Sequence, residues 1–244
     1  MPRPKQHAPS RRLPAALTRL GQGLGFLFCS LRDFAFPPIC LGCAERDVET
    51  GLVCPRCLER LRLASGMPAP SLCCQTIHVR ALGPYAQPFS SLVHELKYRN
   101  RKSLTAVLGG PMARLLRSDA VLARANCLVP IPLHPARLRE RGYNQSELLA
   151  QYVARETQVP VLPALRRVRN TKDQINLTTR QRRANLRGAF ALNPDCSLAG
   201  QRVVLIDDVV TTGATLESAA QVLGQAQATE VSALVVAQIR TPAR

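Results

Sequence analysis

Residues 203–215 read Val203-Val204-Leu205-Ile206-Asp207-Asp208-Val209-Val210-Thr211-Thr212-Gly213-Ala214-Thr215, and few architectures accommodate such a run. Val203–Ile206 predicts a buried strand that ends in two carboxylates. Thr211 to Thr215 predict a small, hydroxyl-rich turn. Leu216, Ala219, Ala220 and Leu223 recur at helical spacing, so a helix is expected over 214–223 with Gly224 as its stop. A uniformly apolar strand running into a helix belongs in a parallel sheet covered by helices. In such sheets ligands sit at the carboxyl ends of strands. The free N–H groups and dipole of a helix N-terminus suit a phosphate there. Two carboxylates beside it suit sugar hydroxyls or a divalent cation, both hard contacts. A ribose 5-phosphate group presents both. Two other acidic motifs fit less well. No G-x-x-x-x-G-K-S/T sequence occurs to make the aspartates the metal strand of a P-loop enzyme. A receiver-type acidic pocket would stand early in the chain. A purely structural helix cap would account for one carboxylate and not for the whole pattern.

The rest of the chain repeats the strand–helix alternation. Strands are expected at Val79–Leu82, at Cys127–Ile131 (cut short by Pro130) and at Val231–Ala237. Helices are expected at Ser90–Tyr98, with Ser90 or Ser91 as cap, and at Ser146–Glu156. A further helix over Leu104–Leu116 is expected to be weakened or split by Gly109-Gly110-Pro111. Residues 1–35 form a basic leader, six Lys/Arg and no acid in the first 32. Its prolines discourage a long helix before Ala15. The apolar run Leu24–Cys29 is short and lacks a small-residue cleavage site, which argues against a signal peptide and leaves a basic, weakly amphipathic, partly helical leader, with a transit peptide as the lesser alternative. Pro68 and Pro70 mark a linker. Three segments follow: the leader at 1–35, a cysteine-rich module at 36–76 and an α/β domain at 77–244.

Cys40-Leu41-Gly42-Cys43 and Cys54-Pro55-Arg56-Cys57 carry the second strong signal. Two-residue spacing lets both thiolates of a pair grip one ion from a tight turn. Two such pairs make a closed tetrahedral site, the structural kind for zinc. A redox role for one pair is disfavoured, because thioredoxin-like pairs open a helix and come singly. Cys29, Cys73, Cys74, Cys127 and Cys196 read as ordinary small apolar residues. Metal thiolates and the lack of a secretory signal point to a reducing cytoplasm. No apolar run approaches the roughly 20 residues that span a bilayer.

Charge narrows the partners without choosing one. Lys and Arg outnumber Asp and Glu by 33 to 16, which favours nucleic acid, phosphorylated metabolites or anionic membrane. With no Trp and 4% aromatics, a stacking platform for single strands has little material. Residues 166–187 hold eight Lys/Arg and one acid, Asp173. His134 stands in the loop after Pro130-Ile131-Pro132 and reads as a surface residue more readily than a catalytic one. His78 and His94 have no evident partner.

The stretch at 203–215 resembles the phosphoribosyl pyrophosphate (PRPP) motif of type I phosphoribosyltransferases. Further pieces resemble the ComF family of competence proteins: Phe36-Pro37-Pro38, Leu96-Lys97-Tyr98-Arg99, Val129-Pro130-Ile131-Pro132, Arg141-Gly142-Tyr143-Asn144-Gln145, Gln174, and Arg183 through Phe190. The resemblance covers about residues 34–240. It implies a Rossmann-like α/β phosphoribosyltransferase domain preceded by a zinc-ribbon module. It also implies that Asp207 and Asp208 hold the ribose hydroxyls directly or through Mg²⁺, and that Thr211, Thr212, Gly213, Ala214 and Thr215 bind the 5-phosphate. Pyrophosphate would lie over the loop after Pro132, with Arg137, Arg139 and Arg141 at hand and Arg141 facing the ligand. The segment 166–187 would be the mobile catalytic loop, a solvated basic face or a nucleic-acid contact. Hypoxanthine-guanine enzymes carry an acid where Thr211 stands, which argues against a 6-oxopurine acceptor. Many family members have a third Cys-x-x-Cys pair where this chain has Leu72-Cys73-Cys74-Gln75, which argues against a second zinc. The implied activity is phosphoribosyl transfer from PRPP to an unidentified base or amine with release of pyrophosphate, linked to DNA uptake and competence or to use of taken-up nucleotides. The alternative is a non-catalytic adaptor that senses PRPP and contacts single-stranded DNA or a helicase.

Overall fold

A computed structural model of the chain describes residues 39–45, 48, 51–66, 77–169 and 188–239. The leader, Phe36-Pro37-Pro38, the linker at 68–70, Cys29, Cys73, Cys74, Gln174 and residues 170–187 of the basic segment lie outside these residues. A helix, α1 (Pro55–Gly66), leads to strand β1 (His78–Pro84) and then to helices α2 (Phe89–Tyr98) and α3 (Leu104–Ser118). Strand β2 (Cys127–Pro130), the short helix α4 (Pro135–Arg141) and α5 (Gln145–Thr157) follow. Strands β3 (Leu165–Arg167) and β4 (Phe190–Leu192) flank the basic segment, and β5 (Arg202–Val210), α6 (Ala214–Gln225) and β6 (Glu230–Gln238) close the domain.

The main sheet is parallel throughout, in the order β1-β6-β5-β2. On one face Leu82, Leu128, Val204, Ile206 and Leu234 join Leu92 and Leu96 of α2, Leu108 and Met112 of α3, and Leu149 and Val153 of α5. On the other, Val129, Val203, Leu205, Ala233 and Val235 meet Leu216, Ala219 and Leu223 of α6 and Phe190 of β4. Burial on both faces is why residues 203–206 are apolar without alternation. Val53, Cys54, Cys57 and Leu61 of the cysteine segment belong to the same core as α2 and α3.

Several expectations change. β5 runs to Val210, so Asp207 and Asp208 lie within a strand and not beyond its end. The partner strand ends instead: β2 pairs as far as Pro130 opposite Ile206. α2 starts at Phe89 after Pro88, so Ser90 and Ser91 lie inside it and neither caps it. α3 runs unbroken through Pro111. A Cβ on Gly109 would come within 2.5 Å of the Tyr152 ring, so this glycine permits the close approach of α3 to α5. α6 passes Gly224 and reaches Gln225, and the chain turns at Gln227, whose φ is +66°. Residues 39–45 and 51–66 contain no strand, and the second cysteine pair leads straight into α1. The antiparallel pairing of β3 with β4 was not anticipated.

Candidate functional site

Where β2 stops, the N-terminus of α5 takes its place beside β5. Gly142 ends α4 with φ +79°, a left-handed turn that glycine adopts without strain. Asn144 then caps α5 by accepting from the Ser146 N–H at 3.1 Å, while its side-chain amide donates to the Ile131 carbonyl at 3.0 Å. That double tie fixes Ser146, whose hydroxyl donates to Asp207 Oδ1 at 2.9 Å. Tyr143 anchors the facing helix by donating its phenolic hydrogen to the Leu96 carbonyl of α2. One residue on, the Lys97 ammonium lies 2.7 Å from Asp208 Oδ1.

The two carboxylates thus have different surroundings. Asp208 is buried and ion-paired, and its Oδ2 has no hydrogen-bond partner among the described residues. Asp207 is half-buried. Burial, with the neighbouring Asp208 charge, lifts it to about 7, against the opposing pull of Lys97, the Asp208 amide and the Ser146 hydroxyl. Burial pulls Lys97 down, but the two aspartates outweigh it and leave its ammonium above the ordinary lysine range. Near neutrality, therefore, the pair carries less than two full negative charges. Asp207 can either accept or donate a hydrogen bond.

Thr211 and Thr212 follow β5 directly, and Gly213 precedes α6 with φ +78°. No side chain caps that helix, and the buried Thr212 Oγ1 has no partner among the described residues. The turn therefore offers α6's free N–H groups, with an unpaired hydroxyl beside them. The orphan hydroxyl of Thr212 beside the helix start fits a phosphate, and the two carboxylates are the donor type that a hard divalent cation such as Mg²⁺ takes.

Arg141 bonds Gln145 and lies over the Tyr98 ring, 5.3 Å from its centroid. Arg167 is the arginine recorded within the field of Asp207, and Arg137 lies near enough to Arg167 to act on it. Arg167 is held below the usual arginine range by burial and by Arg137, with Asp207 opposing. His134 caps α4, its Nδ1 accepting from the Ala136 N–H at 3.2 Å, which is a structural use. His78 has a partner in Asp119 at 3.1 Å, at the other end of β1. Lys97 and Ser146 are the residues sequence reasoning left without a role. Lys97 lies in a motif noticed only by likeness. Ser146 read as the start of a helix, and nothing local signals that its hydroxyl reaches a strand 61 positions away.

At the cysteine pairs, one ligand atom from each of Cys40, Cys43, Cys54 and Cys57 lies within 4.8 Å of the others, and the group could hold one metal ion. Cys40 Sγ accepts the N–H groups of Gly42 at 3.3 Å and Cys54 at 3.2 Å. Burial opposes its ionisation, but these amides and that of Cys43 outweigh it and lower Cys40 to about 7. Amide donors to sulfur favour thiolate, the form that binds metal. Cys54 and Cys57 do open a helix, contrary to expectation, so the four-sulfur cluster is what argues against a redox pair. A Cβ on Gly42 would come 2.9 Å from Pro88 and 3.1 Å from Cys57 Sγ, which marks how tightly the first knuckle lies against the α/β domain. Cys127 is buried in the core.

No helix among the described residues is long and apolar enough to cross a membrane. The phosphoribosyl transferase domain family matches residues 144–243, the span from the α5 cap past β6. The DNA utilization protein YhgH of Salmonella typhi is 34% identical over 208 residues, covering 76% of this chain and 83% of that protein. Competence protein F of Haemophilus influenzae is 34% identical over 151 residues, covering 58% of this chain and 64% of its own. Competence protein ComFC of Bacillus subtilis is 38% identical over 96 residues, 39% of this chain and 37% of its own. With a phosphoribosyl transferase domain on a parallel sheet and four fifths of a 34% identical YhgH protein covered, the chain belongs to the ComF family.

Proposed function

We propose that the protein binds PRPP and transfers its phosphoribosyl group to a base or amine, releasing pyrophosphate. One observation carries the reading: the Asp207–Asp208 pair sits where β2 gives way to α5, immediately before an uncapped helix N-terminus with an orphan hydroxyl. Thr211, Thr212, Gly213, Ala214 and Thr215 hold the 5-phosphate through backbone N–H groups and hydroxyls. Asp207, oriented by Ser146, takes a ribose hydroxyl, and Asp208 takes the second oxygen contact. Bound Mg²⁺ supplies positive charge to the leaving diphosphate. Arg167 adds cationic field beside Asp207, and Arg141, lying over Tyr98, faces the leaving diphosphate. As the glycosidic C–O bond breaks, positive charge develops on the ribosyl ring, and the carboxylates stabilise it. Cys40, Cys43, Cys54 and Cys57 hold a structural zinc that closes the cysteine segment onto the core.

The test is pyrophosphate release from PRPP and Mg²⁺ by the full chain, offered a panel of nucleobases and amines. Release with one acceptor establishes the transferase and names its substrate. PRPP binding without release for any acceptor favours a second reading, a non-catalytic adaptor of DNA uptake. The net charge of +17 and the competence and DNA-utilization names of the relatives support that reading. Steeply salt-dependent binding of single-stranded DNA would add to it.

A further inference from the structure

Lys97 has no part in the donor contacts described above, yet it holds the most buried carboxylate of the site. Its Nζ lies 2.7 Å from Asp208 Oδ1, and the two side chains keep 22% and 4% of their surface exposed. Asp208 Oδ2 is covered as well. A divalent ion can therefore reach this carboxylate only by displacing the ammonium, since two cations on one buried carboxylate repel strongly where water is scarce. The lysine is also placed firmly. Tyr143 pins the carbonyl of the preceding Leu96, Leu96 itself is fully buried, and the Lys102 ammonium lies 4.8 Å above the Tyr143 ring.

We propose that Lys97 is the resident cation of the acidic pair. It holds Asp208 in the ligand-free protein, excludes a free divalent ion, and gives way only when that ion arrives bound to a sugar diphosphate. Lys97 is thus a positioning residue that acts through Asp208 and makes metal and donor enter together. The last step rests on the PRPP reading of the site; the exclusion of free metal does not.

The experiment follows Mn²⁺ by electron paramagnetic resonance with the zinc-loaded full chain. Wild type without PRPP is expected to leave Mn²⁺ free, and with PRPP to hold more Mn²⁺ than PRPP alone does. Lys97→Met is expected to bind Mn²⁺ without PRPP at least about tenfold more tightly than wild type, the scale of one removed neighbouring charge. Adding Asp208→Asn to it removes that binding, and Lys97→Arg behaves as wild type. A merely structural lysine would give no new Mn²⁺ signal on removal. The proposal is overturned if wild type binds free Mn²⁺ and folded Asp208→Asn does not. It is equally overturned if folded Lys97→Met gains no site. If Lys97→Met gains an Asp208-dependent site but PRPP captures no Mn²⁺ in wild type, the exclusion stands and the PRPP reading fails. Capture by PRPP with no effect of Lys97 gives the reverse.

Discussion

Ser146 and Asp207 lie 61 positions apart in the chain, and the hydroxyl of the first donates to the carboxylate of the second at 2.9 Å. This bond joins the start of α5 to the middle of β5 and orients the half-buried acid of the pair. Ser146→Ala removes the donor and leaves the helix cap on Asn144 intact. We expect PRPP affinity to fall roughly five- to tenfold and stability to fall by about 1 kcal/mol. Calorimetric titration and chemical denaturation on the same preparation separate the two effects.

Gly109 and Gly110 adjoin in α3 and should respond in opposite directions. Alanine gains up to about 1 kcal/mol over glycine within a helix. At Gly110 a Cβ meets nothing nearer than the Arg114 guanidinium at 3.9 Å, so Gly110→Ala should stabilise the protein. At Gly109 it would meet the Tyr152 ring at 2.5 Å, and overpacking costs about 1–3 kcal/mol. Gly109→Ala should therefore destabilise, as a pair of urea titrations would reveal.

The cysteine cluster predicts a metal-dependent fold. Cys54 and Cys57 share a core with α2 and α3, so loss of the metal should be felt beyond the knuckles. We expect one zinc per chain and a lower melting temperature after chelation. Cys57→Ser should lower both. A melting curve indifferent to chelation would count against a structural metal.

Asp119 predicts an acid-sensitive contribution to stability. Burial opposes its ionisation, but the N–H groups of Leu122 and Val121, with His78 and Arg80, outweigh it and hold the carboxyl below the usual aspartate range. A depressed folded value means stability that is present above the unfolded value, about 3.9, and is lost as pH falls through the folded one. Asp207 has the opposite sign. Its value of about 7 contributes stability at acid pH that disappears as pH rises from about 4 through about 7. Asp119→Asn should flatten the acid limb of a stability–pH curve. Asp207→Asn should flatten its neutral limb in the ligand-free protein.

Much of this was legible in residues 203–215, because a buried parallel strand, an acid pair and a helix start each leave a local pattern. Helix and strand positions followed from periodicity, since burial on one or both faces dictates it. Boundaries failed where the deciding contact is remote. Gly109 reads as a helix breaker until Tyr152 explains it. Asp207 seems to lie past its strand until β6 is seen to continue the pairing to Val210. Likewise Lys97 and Ser146 carry no local mark of their partners, because both bonds close between distant elements. The contact of Arg141 with Tyr98 and the field of Asp207 at Arg167 likewise close between distant elements and leave no local mark.

The most direct test of the account is calorimetric titration of PRPP with Mg²⁺ into the full chain, repeated with Asp207→Asn and Asp208→Asn. Saturable binding by the wild type is expected, weakened at least tenfold by either substitution in protein that remains folded. Absence of binding by the wild type, or binding that neither aspartate affects, would contradict it.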